Sequence, residues 1–199
     1  MAWIETIAVK NAAGELKTLY DQVKAPGGHV DNILKIHSLW PRTLRAHLEI
    51  YKASLHSKPN GLSYRERELV GVLVSMLNGC DYCVQHHRAG LARHLGDAGL
   101  AERLTEAAAG KVTAELLSER ERALCAYAAR LTLSPAQMQP ADLETLRAAG
   151  LDDAAILDLN QVVAYFAYAN RTVNGLGVQI AGEPLGLHPD EARDDFRHG

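Results

Sequence analysis

Residues 68–87 read ELVGVLVSMLNGCDYCVQHH, and the reading of this stretch decides the fold. Leu69, Val70, Val72, Leu73, Val74, Met76 and Leu77 are apolar round most of a helical circumference, which predicts a central, buried helix over residues 63–77. Ser63 followed by Glu66 is a capping-box pattern at its start. Asn78-Gly79 stops it, because both residues tolerate the left-handed conformation that ends helices. Asp81 is then placed to cap a second helix running to about residue 95.

This placement puts Cys80 and Cys83 in the first turn of the second helix, with His87 on the same face by three-and-four spacing. A thiol at a helix N-terminus meets the positive end of the dipole and unpaired N–H groups, and both favour the thiolate, which is the nucleophilic form. His87, one turn beyond Cys83, is placed to act as its base or hydrogen-bond partner. Glu68, Gly71, Val72, Ser75 and Gly79 form a mostly small stripe on the first helix, where a second helix can approach. Folded back antiparallel, Glu68 lies ~15 Å before the turn and His87 ~12 Å after it, levels that allow contact directly or through one water. Glu68 has two readings. It is either the acid of a proton relay or one more charge in a polar first turn with Arg65, Glu66 and Arg67. Beside a cysteine pair the relay is preferred, since buried acids are rare unless paired.

The C-x-x-C pair admits several chemistries. Cys80, Cys83, His86 and His87 are too close in one helix to surround a zinc ion tetrahedrally, so no metal ligand set is read. A c-type haem needs a His directly after the second cysteine, where Val84 stands. A thioredoxin-like site needs a preceding strand, and the preceding run is helical. What remains is a redox dithiol carried on helices, or two inert buried thiols.

Outward from this stretch the chain is helical throughout. Residues 12–23, 30–38, 41–57, 98–109, 118–133, 140–149 and 154–180 carry helical spacing, cap or breaker signals. Pro26-Gly27-Gly28 and residues 58–61 break it, and residues 3–9 form a short extended lead. Ile33, Leu34 and Ile36 fit either a pocket wall or core; His47 and His56 read as surface or satisfied polar residues. Cys125 reads as a core thiol, and one face of the last helix, with Tyr165, Phe166, Tyr168 and Asn170, as core or pocket wall. Residues 62–69, LSYRERELV without its final valine, align with residues 117–124, LSERERAL, as a degenerate duplication in which Glu68 is replaced by Ala123 and no C-x-x-C follows. Chance likeness of two capping boxes is the competing explanation.

In 199 residues, with 47% hydrophobic content, there is room for one domain with a full core. A net charge of -3 with scattered basic residues excludes an electrostatic nucleic-acid or membrane binder. The longest mostly apolar run, residues 69–77, falls far short of a membrane span. The start MAWIETIAVKN lacks a basic leader and apolar core, so a cytoplasmic protein is expected. In that compartment a cysteine pair favours catalysis over structure. The expected architecture is all-α: one helical domain over residues 1–181 with its core at 62–95, then an irregular arm over 182–199, perched on a neighbouring subunit.

Glu68, Cys80, Cys83 and His87, with Tyr82 before the second cysteine, resemble the E-x11-C-x-x-C-x3-H signature of the alkylhydroperoxidase D-like group in the carboxymuconolactone decarboxylase superfamily, uncharacterised peroxidase-related branch. Residues 160–176, with Asn170-Arg171, resemble the long C-terminal helix of that branch. The resemblance implies an alkylhydroperoxidase D-like helical bundle around a central antiparallel helix pair. It also implies a thiol-dependent peroxidase in which Cys83 attacks the peroxide, Cys80 resolves the sulfenic acid, and Glu68 and His87 relay protons. Where that group has a His before the second cysteine, this chain has Tyr82; either His86 substitutes or the relay is shorter. It further implies a hydroperoxide substrate, an external protein or lipoyl-type dithiol as reductant, no cofactor, and a homotrimer or homohexamer. The alternatives are a lactone decarboxylase-like enzyme and a non-enzymatic redox-sensing or metal-binding dithiol protein.

Overall fold

The computed structural model describes residues 2–25, 27–56 and 61–186. The helices are α1 (Gly14–Val23), α2 (Asn32–Lys35), α3 (Pro41–Tyr51), α4 (Tyr64–Leu77), α5 (Asp81–Leu95), α6 (Ala98–Ala108), α7 (Glu119–Leu133), α8 (Pro140–Ala148) and α9 (Asp153–Leu176). No strand occurs among the described residues, as the all-α reading requires. Pro26, residues 57–60 and residues 187–199 of the arm lie outside the described residues.

α4 is the axis of the molecule. Both arms of its capping box form: Ser63 Oγ accepts from Glu66 N, and the Glu66 carboxylate accepts from Ser63 N at 2.7 Å. Every residue from 66 to 75 is buried. α5, α7 and α9 pack round it, and α6 closes over α5. The main core joins Leu69, Val70, Leu73 and Val74 of α4 to Leu124 of α7 and Phe166 of α9. A second core ties Leu16, Leu19 and Tyr20 of α1 to Leu44 and Leu48 of α3. α4 ends at Asn78, and Gly79 (φ 64°) turns the chain back into α5.

Several boundaries differ from the sequence reading for local reasons. α5 is capped by Cys80, with Asp81 already at the first helical position. The helix expected over 30–38 keeps only Asn32–Lys35 before dissolving into turns. The helix expected to reach residue 57 ends at Tyr51 and continues as a π-helical turn, Lys52–His56. α9 stops at Leu176 instead of residue 180, because Gly177 takes a left-handed cap (φ 63°). The Trp3 ring lies where a Cβ on Gly177 would project, so only glycine fits there.

The stripe expected to receive α5 does so at Glu68, but at Gly71 it meets another helix. A Cβ on Gly71 would lie 2.2 Å from the Phe166 ring, so the close approach at Gly71 is made by α9. On the α5 side the matching gap is Gly90, over which the Glu68 carboxylate lies. The described part of the arm runs back over its own chain: Arg93 donates to the carbonyls of Leu185 and Gly186.

Candidate active site

The α4–α5 hairpin brings together the residues its sequence spacing suggested. Glu68 Oε2 and His87 Nδ1 stand 2.8 Å apart across the two helices, with only 7% and 14% of their side chains exposed. An imidazole held by a carboxylate at Nδ1 donates its proton there and keeps Nε2 as the basic nitrogen. Phe166 meets the His87 ring edge-on, with centroids 4.6 Å apart, and fixes its plane.

The cysteines are free and buried at the start of α5, in a small apolar cluster with Ile36, Val173 and Val178. The two sulfurs hydrogen-bond to each other, and the Asn170 side chain reaches both. Cys80 accepts the bond from Cys83; that contact lowers its pKa against the opposing effect of burial, with further help from Asn170 and the His87 charge. Cys83 is pushed well up by the same bond, by burial and by the charge on Cys80. Of the two thiols Cys80 is therefore the more acidic, and it also holds the anion-favouring position at the N-cap of α5. Asn170 is itself oriented: its Oδ1 accepts from Asn78 Nδ2 at 2.9 Å, and its Nδ2 donates to Ser75 Oγ at 3.1 Å.

Cys83, Glu68 and His87 line one cavity, and Cys80 lies behind it. At about 60 Å³ the cavity exceeds the ~10–15 Å³ that one water needs several-fold. Its wall is completed by Ile33 and Leu34, by His47 and Tyr51 of α3, and by Tyr165 of α9. Both readings offered for residues 33 and 34 hold: the two line the cavity, and Leu34 also belongs to the second core, with Ile33 packed against it. Burial pushes the Tyr51 and Tyr165 hydroxyls up, so both stay protonated donors.

His47 corrects the sequence reading most. It is 2% exposed and faces the cavity, 3.4 Å from the Tyr165 hydroxyl through Nε2, with no hydrogen bond to Nδ1. Burial, assisted by the nearby His37, lowers its pKa to about 3 and keeps it neutral. Leu44, His47, Leu48 and Tyr51 share one helical stripe, and that spacing was the signal that His47 faces inward.

The remaining candidates form a separate group. Tyr82 stacks on His86 with centroids 4.5 Å apart, and its hydroxyl accepts from Ile33 N at 3.2 Å. His86 Nε2 stands 3.4 Å from Glu183 Oε1, so His86 has its own carboxylate and does not join Glu68 and His87. Of Asn170-Arg171, only Asn170 reaches the thiols; Arg171 is exposed and bonds its own helix. Cys125 is buried in α7 and pushed up to about 12 by burial and the nearby Glu121 charge, apart from the site. Among the described residues neither cysteine belongs to a convergent set of metal-ligating atoms; His29, Asp31 and Glu183 do.

The pattern of the Carboxymuconolactone decarboxylase family matches residues 41–97, which hold α3, α4 and α5. A peroxidase-related protein of Ralstonia eutropha JMP134 with an alkylhydroperoxidase AhpD core superposes with a TM-score of 0.79 at 24% identity, over 91% of this chain and 93% of that one. A peroxidase-related protein of Silicibacter sp. TM1040 superposes at 0.73 with 28% identity, over 84% and 85%. The debrominase Bmp8, solved as a cysteine-to-alanine variant with 2,3,4-tribromopyrrole, shares the fold at 0.73 with 18% identity, over 89% and 90%. No curated protein matches the chain.

Proposed function

We propose that this chain, whose residues 41–97 match the Carboxymuconolactone decarboxylase family and whose fold matches two peroxidase-related proteins, is a thiol-dependent peroxidase of the alkylhydroperoxidase D-like kind. The observation that carries the reading is the 2.8 Å Glu68–His87 pair opening on the same cavity as Cys83. The Cys83 proton passes to His87, whose Nδ1 is held by Glu68. The Cys83 thiolate attacks the terminal oxygen of a hydroperoxide and the O–O bond breaks. Cys83 becomes a sulfenic acid, and the departing alkoxide takes the proton from His87 and leaves as the alcohol. The Cys80 thiolate then attacks the Cys83 sulfur and expels hydroxide, giving the Cys80–Cys83 disulfide. An external dithiol restores both thiols by exchange.

Two features support this division of roles. Cys83 lines the cavity while Cys80 sits behind it, as an attacking and a resolving thiol require. The lowered pKa of Cys80 readies it to resolve as soon as Cys83 is oxidised. The apolar, aromatic wall favours an organic hydroperoxide over hydrogen peroxide. Exposed Trp40, Leu133 and Leu157 support a homo-oligomer. No helix among the described residues is long and apolar enough to cross a membrane.

The test is steady-state reduction of an organic hydroperoxide with a dithiol reductant. Cys83→Ser should abolish turnover, while Cys80→Ser should consume one peroxide per chain and stop at the sulfenic acid. Full activity in Cys83→Ser overturns the proposal, and lactone turnover that survives loss of both cysteines replaces it with the decarboxylase alternative.

A further inference from the structure

Seven residues beyond the end of α9, the arm inserts Glu183 into the protein with a side chain that is completely buried. Its Oε2 accepts from Asn32 N at 2.7 Å and stands 3.5 Å from His29 Nε2, which is 3.7 Å from Asp31 Oδ1. Its Oε1 faces His86 Nε2 at 3.4 Å. Three of these buried atoms, His29 Nε2, His86 Nε2 and Glu183 Oε1, have no hydrogen-bond partner. Buried polar atoms are normally paired, so three unpaired ones facing each other mark this cluster as a place suited to a cation.

The distances distinguish the candidates. Direct ion pairs between imidazolium and carboxylate close to about 2.7–2.9 Å. The observed 3.4–3.7 Å separations are longer. The two that involve His29, 3.5 Å to Glu183 and 3.7 Å to Asp31, come near the edge of a tetrahedron, about 3.4 Å, whose nitrogen and oxygen corners lie about 2.1 Å from a central zinc. One atom each from His29, Asp31 and Glu183 falls within a common 4.8 Å sphere of separation. Two carboxylates neutralise a dication, and Asn32 N fixes the orientation of Glu183 by donating to its Oε2.

We propose that His29, Asp31 and Glu183 form a three-ligand site for a divalent transition metal ion of the zinc type, with His86 orienting the second oxygen of Glu183 from outside. The ion would tie together the segment before α2, α5 and the arm. Asp31, His86 and Gly186 also line the cavity, and Gly186 lies against Ala89 and Gly90, so the ion secures the arm that forms one cavity wall. The site stands apart from the thiol chemistry and survives or fails without it.

The experiment uses the untagged full chain carrying Cys80→Ser and Cys83→Ser, stripped with a chelator and titrated calorimetrically with Zn²⁺, with Co²⁺ as a spectroscopic probe. One equivalent should bind, raise the thermal unfolding midpoint, and give cobalt d–d bands without a thiolate charge-transfer band. In that background Glu183→Gln and, independently, His29→Ala should remove stoichiometric binding; His86→Ala should weaken it about 10–100-fold, as loss of an outer partner does. His29 is at the surface edge of the cluster, so its variant tests the site even if Glu183→Gln fails to fold. Absence of a stoichiometric site once Cys80 and Cys83 are replaced, or binding undiminished in the His29 variant, overturns the proposal.

Discussion

α4 and α7 start from the same pattern, and the fold joins the two starts to each other. Arg65 Nε donates to Glu121 Oε1 at 2.6 Å, and Arg120 Nε donates to Glu66 Oε1 at 2.7 Å. Arg65 and Arg120 occupy equivalent positions in residues 62–69 and 117–124, as do Glu66 and Glu121, so each copy gives the other the same contact, as in a two-fold interface. Both capping boxes form, and Leu62 and Leu117 are both buried. The reciprocal ion pairs fit the duplication better than a chance likeness of two caps.

Beyond this shared start the copies part. Arg67 is completely buried and pairs with Asp158 of α9 at 2.7 Å, whereas its counterpart Arg122 is exposed. Glu68 enters the cavity, and Ala123 takes its place at the half-buried edge of α7. Gly71 admits Phe166, while Ala126 faces solvent. A helix packed on all sides can hold an acid beside an imidazole in a water-poor site; one with a solvated face cannot. The same opening motif therefore produces a site in one setting and a scaffold in the other.

Paired substitutions can break this comparison. The largest effect is expected in catalysis: Glu68→Gln should lower peroxide turnover by about 10²–10⁴-fold, the range for loss of general acid–base help, while Ala123→Glu leaves it unchanged. In stability, Arg67→Ala strands Asp158 and should cost about 3–5 kcal/mol by denaturant unfolding, against no more than about 0.5 kcal/mol for Arg122→Ala. Gly71→Ala drives a methyl into the Phe166 ring and should cost about 1–3 kcal/mol, against about 0.5–1 kcal/mol for Ala126→Gly, which loses only helix propensity.

The smallest contrast is in pH dependence. Cys125 aligns with Val70, and its pKa is pushed up to about 12. The folded chain thus keeps a proton that the unfolded chain releases above about pH 8.5, so the unfolded state gains and stability falls as pH rises through that window. About 1–2 kcal/mol should be lost this way by pH 10, and Cys125→Val should flatten that part of the profile. An identical alkaline slope in the variant would show that Cys125 does not hold its proton.

The central hairpin was legible because three independent signals agreed on it: a capping box, an all-round apolar run and an Asn-Gly stop. Glu68–His87 followed from helical rise alone. Other features needed tertiary information. Gly71 as a small residue announced a close neighbour but not which one, and α9 took the place expected for α5. Cys80 and Cys83 were both readable as helix-start thiols, but their opposite pKa shifts come from the bond between them, with Asn170, 87 positions beyond Cys83, reaching both from α9. His47 was legible from its stripe and was overlooked because histidine usually lies at the surface. Glu183 offered no local signal: an acid in a charged tail looks solvated until the chain folds it against His29 and His86.

The most direct test of the thiol account is intact mass and peptide mapping of the reduced chain after brief exposure to one equivalent of an organic hydroperoxide. The account predicts loss of two hydrogen atoms with a Cys80–Cys83 disulfide, Cys125 remaining a thiol, and a stable single-oxygen adduct on Cys83 when Cys80 is replaced by serine. A pair that stays reduced while peroxide persists, or oxidation that falls on Cys125 first, would contradict it.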